Sequence, residues 1–68
     1  MSVKHPNDKI LFGLKVKQLR VKKGLSFAEL SQKTGISVSY LNEIEKGKKY
    51  PKRDKIRGLA DVLNADIQ

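Results

Sequence analysis

Sixty-eight residues leave room for one domain with one small core, because a chain this short buries only roughly 60% of the surface its unfolded form exposes. Cysteine is absent and histidine occurs once, as His5, which excludes disulfides and leaves no converging set of metal ligands; no metal and no cofactor are expected. Lysine and arginine outnumber aspartate and glutamate 15 to 7, a net charge of +8, which points to nucleic acid or an acidic membrane surface as the partner.

No apolar run approaches the roughly 20 residues of a membrane span, and the N-terminus lacks a signal-peptide core. The default expectation is a soluble cytoplasmic protein that does not enter a membrane. Residues 1–7 are expected to form a tail, with His5 solvated in it, and residues 8–68 the domain.

Asn7 or Asp8 is the expected N-cap of a first helix over Lys9 to Lys23. Phe12, Val16 and Leu19 fall on one face at intervals of four and three, which makes them the core stripe. Lys22 and Lys23 suit the negative end of the helix dipole, and Gly24 is the stop. Ile10, Leu14 and Val21 cluster on the opposite side. They either pack under a terminal segment, or are scattered surface area, or form a subunit or partner contact.

Ser26-Phe27-Ala28-Glu29 reads as a capping box, with Leu25 and Leu30 as its hydrophobic staple. The second helix then runs from about Phe27 to Thr34, buries Leu30 with Ala28 or Ser31 nearby, and stops at Gly35. Ser37 caps a third helix over about residues 38–46, Ile36 and Leu41 staple it, and Gly47 ends it. Leu41 and Ile44 face inward, while Val38, Ser39, Asn42, Glu43 and Lys46 point elsewhere. Two short helices joined by a glycine-containing turn make a helix-turn-helix.

Lys48-Lys49-Tyr50-Pro51-Lys52-Arg53 is a basic loop with an aromatic inside it and Pro51 fixing its backbone. A fourth helix, about Lys52 to Leu63, places Ile56, Leu59, Ala60 and Leu63 on one face. Gly58 weakens that helix by roughly 1 kcal/mol relative to alanine, so a close helix approach is expected there. Asn64 to Gln68 reads as a turn into something further, as if the domain had been trimmed. The expected class is all-α.

Over about Phe12 to Ile67 the sequence resembles the Cro and lambda-repressor type helix-turn-helix regulators, the XRE family. The resemblance rests on Leu19-Arg20, Gly24-Leu25-Ser26, Glu29-Leu30, the Gly35 turn, Ser39-Tyr40-Leu41, Ile44-Glu45-Lys46-Gly47, Pro51 and the Leu59-Ala60 to Leu63 run, in family order and spacing. It implies a compact bundle of four to five helices, the third laid in the DNA major groove, in a protein that acts as a dimer.

Carried over by position, the resemblance marks Ser37, Val38, Ser39 and Glu43 as base-contacting, with Asn42 and Tyr40 beside them. The side chains have the chemistry for it, since valine meets a thymine methyl, serine donates or accepts, asparagine serves adenine, and glutamate accepts from cytosine N4. For Glu43, a solvent-facing or Lys46-paired carboxylate is the competing role, and for Tyr40 a phosphate contact competes with packing over the second helix. Lys46, Lys48, Lys49 and Lys52 resemble backbone-contacting positions, and Ser26, Phe27 and Ala28 a phosphate site of free N–H groups. Arg20 and Glu45 match a structural pair that ties the first helix to the end of the third.

Phe27 departs from the family, many of whose members place there a glutamine that contacts phosphate and braces the recognition helix. Phenylalanine cannot make those hydrogen bonds. That clamp is absent, or is replaced by apolar contact with a deoxyribose or Tyr40, or Phe27 simply packs against Ser31 or Tyr40.

The leading expectation is a sequence-specific double-stranded DNA-binding transcription regulator, a repressor or autoregulator, acting as a homodimer on an inverted-repeat operator. The alternative is an antitoxin-type or other protein-interaction module that uses Ile10, Leu14 and Val21 as its contact. An enzyme is not expected, because the chain offers no phosphate-cradling glycine loop and no carboxylate pair with a pocket.

Overall fold

Serine and glycine set most helix ends through bonds that span only a few residues. In the computed structural model, which describes residues 6–64 and side chains from Asp8 onward, the elements are α1 (Pro6–Lys22), α2 (Phe27–Thr34), α3 (Val38–Glu45) and α4 (Arg53–Leu63). The described residues are therefore all-α, with four helices and no strand.

Pro6 opens α1, a position where a missing N–H costs nothing, so Asn7 and Asp8 lie inside the helix rather than at its cap. Asp8 sits in the first turn, and its Oδ2 is buried without a hydrogen-bond partner among the described residues. At the other end Lys23 belongs to the turn. Gly24, at φ +69°, donates to Val21 O at 2.9 Å, and Leu25 donates to Arg20 O at 3.0 Å, a paired closure that uses carbonyls the helix would leave unbonded.

Ser26 Oγ accepts from the Glu29 N–H at 3.0 Å and the Glu29 carboxylate accepts from the Ser26 N–H at 2.8 Å, completing the capping box of α2. Gly35, at φ +77°, ends that helix. Two residues on, Ser37 Oγ accepts from the Tyr40 N–H at 3.1 Å and starts α3. Gly47 and Lys48 close α3 with bonds of 3.0 Å to Ile44 O and Glu43 O. Lys52 is the N-cap of α4, without a side-chain bond, and Asn64 ends it in the left-handed region at φ 56°.

The helices enclose one core of Phe12, Val16, Leu30, Ile36, Leu41, Ile44, Ile56, Leu59 and Leu63, with Leu19, Leu25, Phe27, Tyr40, Ala60 and Val62 packed against it. α1 packs on α3 and α4, and α2 packs on both α3 and α4. Leu30, Leu41, Ile44 and Leu59 are fully shielded, so truncating any one of them to alanine is expected to cost about 2–5 kcal/mol.

Two glycines behave differently from the sequence expectation. Gly58 has nothing within 4 Å of where a Cβ would stand, so α4 makes no close approach there. The close approach is at Gly13, where a Cβ would run into the backbone oxygen of Ile44, letting the backbones of α1 and α3 touch. Ala28 is exposed and does not join Leu30 in the core. The expected tail through His5 and the run Ala65 to Gln68 lie outside the described residues.

Candidate nucleic-acid interface

Two opposite faces of α3 have opposite fates. Leu41 and Ile44 are 0% exposed, while Val38 is 45% exposed and Ser37 and Ser39 are open to solvent beside it. Tyr40, Asn42 and Glu43 are half-buried on the flanks, and Tyr40 packs against the core. Glu43 makes no ion pair among the described residues, with Lys46 or any other cation.

The first turn of α3 contains no acidic residue, so nothing there neutralises the positive end of its dipole. Ser37 takes the Tyr40 N–H, and the N–H groups of Val38 and Ser39 are left without a partner among the described residues. At the other end Lys46, Lys48, Lys49 and Lys52 are all exposed and form a cationic rim. That loop is held in place from beneath. Pro51 is buried, and the Tyr50 ring lies 5.0 Å from Phe12, tilted by 60°.

The start of α2 differs from that of α3 in carrying an acidic residue, Glu29, in its first turn. Its capping box satisfies the N–H groups of Ser26 and Glu29, which leaves those of Phe27 and Ala28 unbonded among the described residues. Donation from the Ser26 backbone, then its hydroxyl contact, holds the Glu29 carboxyl below its ordinary value of 4.5.

Arg20 joins three elements. Its Nε donates to Glu45 Oε2 at 2.7 Å and its Nη2 to Glu45 Oε1 at 3.1 Å, while Nη1 donates to Leu25 O at 2.9 Å. The two side chains retain only 13% and 5% of their exposure. The hydrogen bond to Glu45 raises the Arg20 pKa despite the opposing effect of burial. The guanidinium also lies 4.2 Å from the Phe27 ring centroid, so Phe27 meets a cation on one face and the core on the other. Sequence spacing points Phe27 towards Ser31, Tyr40 or a deoxyribose and not towards this arginine, because it does not reveal which side chain of α1 reaches the start of α2. The support of the basic loop by Tyr50 and Phe12 escapes sequence reading for the same reason, although a tyrosine beside a proline in a run of lysines is a usable signal.

The candidate residues thus comprise a capped helix with an open outer face, a second helix start, and exposed lysines on a supported loop. A family model described as a helix-turn-helix domain matches residues 11–68. A Bacillus subtilis (strain 168) protein named "Uncharacterized HTH-type transcriptional regulator YazB" is 39% identical over 54 residues, which cover 79% of this chain and 78% of that protein. No solved structure matches. With α2, the Gly35 turn and α3 lying inside the matched span, the chain belongs to the helix-turn-helix domain family.

Proposed function

We propose that this chain is a sequence-specific double-stranded DNA-binding transcription regulator of the Cro and lambda-repressor (XRE) type, a repressor or autoregulator that works as a homodimer on an inverted-repeat operator. The observation that carries the reading is the division of α3: one face is buried to completion, and the other is small, polar and open at an unneutralised helix start. The relative named as a transcriptional regulator supports the same reading.

In this reading α3 enters the major groove. Ser37, Val38, Ser39, Asn42 and Glu43 meet base edges, valine against a thymine methyl and the polar side chains through hydrogen bonds. Glu43, not engaged in an ion pair among the described residues, is available to accept from cytosine N4. Lys46, Lys48, Lys49 and Lys52 meet phosphates, as do Tyr40 through its hydroxyl and the Ser26 to Ala28 turn through its N–H groups. The Phe27 contribution at that turn is its backbone N–H, because its ring is engaged by Arg20.

Selection of bound sites from random duplexes tests the proposal. The expected result is an enriched motif with two half-sites about one helical turn, roughly 34 Å, apart. A Ser39→Glu variant that remains folded is expected to lose binding. No enrichment, or binding unaltered by that substitution, refutes the assignment of α3 as the reader.

A further inference from the structure

Among the described residues, most of the large apolar side chains left in solvent lie on one helix. Ile10, Leu11, Leu14 and Val21 are 49%, 63%, 50% and 58% exposed. At 100° per residue they span an arc of about 100° on the side of α1 away from Phe12 and Val16. Leu14 and Val21, two turns apart, line a shallow groove of about 400 Å³ with the stems of Lys17, Gln18 and Lys22. Isolated exposed leucines need no explanation, but four large apolar side chains on one arc of a helix in a small basic domain do.

Charge decides what could cover it. Lys17 borders the arc on one side, and Lys15 and Lys22 border it on the other. Asp8, in the first turn, is the one acidic residue of α1. A second copy docked through the same face would set these lysines against their counterparts, in a chain already at +8. A helix with an apolar stripe flanked by carboxylates would instead satisfy both the groove and its borders.

We infer that the outer face of α1 is a docking surface for an acidic amphipathic helix of another protein, with apolar anchors between Leu14 and Val21 and carboxylates against Lys15, Lys17 and Lys22. α3 packs on α1 through the Gly13 side and Ile10 lies against Gly47 just beyond α3, so it is the groove between Leu14 and Val21, lined by α1 residues alone, that stands apart from the outer face of α3. The inference does not depend on what α3 binds.

The probe is a synthetic helical peptide with leucine along one face and glutamate flanking it, titrated against the full chain. Binding is expected, and Leu14→Ser with Val21→Ser is expected to weaken it about tenfold or more while circular dichroism stays unchanged. Lys17→Glu with Lys22→Glu leaves the groove intact; it is expected to abolish binding of this peptide and to confer binding of a counterpart flanked by lysine. No binding by the original chain overturns the proposal. So does binding that ignores the groove substitutions, which would be charge attraction alone, or a dimer by sedimentation that those substitutions dissociate, which would assign the face to a second copy.

Discussion

The guanidinium of Arg20 lies 4.2 Å over the ring of Phe27, while its N–H edge grips both carboxylate oxygens of Glu45. The ring shields one face of the ion pair from water, so the first turn of α2 takes part in fixing the end of α3 against α1. Glu45→Ala would strand a largely buried guanidinium and is expected to cost about 3 kcal/mol in urea denaturation. Phe27→Leu is expected to cost about 1 kcal/mol, from the lost cation–π contact and lost packing. Because both act on Arg20, the double variant should lose less than the sum of the two. Strict additivity would show that the ring and the ion pair are independent.

Gly13 and Gly58 should respond to alanine with opposite signs. At Gly13 the new Cβ would collide with the backbone oxygen of Ile44 in α3, which forces the helices apart and is expected to cost about 2 kcal/mol or more. At Gly58 nothing stands within 4 Å, so alanine is expected to add about 0.5–1 kcal/mol through helix propensity and a less disordered unfolded chain. Thermal midpoints of the two single variants suffice; a stabilised Gly13→Ala would contradict the observed approach.

The α2 cap predicts a pH dependence. The folded Glu29 pKa is lowered, so its contribution is fully present above the ordinary value of 4.5 and is lost as pH falls through the lowered one. The stability gap between the original chain and Glu29→Gln should be constant above about pH 5 and change only below it. Ser26→Ala is expected to cost about 1 kcal/mol at neutral pH and to weaken that acid response only in part, because the backbone N–H that lowers the Glu29 pKa most remains. Arg20 has a raised pKa, so its contribution persists at all lower pH and adds no slope near neutrality.

If the exposed lysines meet phosphates, salt should weaken DNA binding steeply, with a log–log slope near −5 for about six contacts per subunit. Lys48→Ala with Lys49→Ala is expected to reduce that slope by about 2 units and to weaken all duplex sequences alike. Val38→Ala is expected to relax sequence preference and leave the slope unchanged. A slope that the lysine substitutions do not move would remove the basic loop from the interface.

The architecture is legible because the chain carries its own punctuation. Ser26 with Glu29, Ser37, Gly24, Gly35 and Gly47 each act on groups within five residues, so their spacing alone predicts the helix ends. The inward positions Leu30, Leu41, Ile44, Ile56 and Leu59 follow from helical periodicity in the same way. The N-terminal end of α1 is the exception, since Pro6 reads as tail in the sequence yet the first helical turn tolerates a proline. The outer face of α3 can be named from sequence, as can the lysines beyond it, since both are defined by what the core leaves out.

By itself, then, the sequence determined which segments are helical, where each turn falls, and that a basic, small-residue face would be left outside. Tertiary structure alone decided that Gly13, not Gly58, is where helices touch, that Phe27 lies under Arg20, and that Tyr50 in the lysine loop packs at a tilt against Phe12. The physical reason is range. A cap is closed by bonds within one helical turn, whereas these contacts join residues far apart in the chain, and their partners are chosen only when the packed helices bring particular side chains within reach.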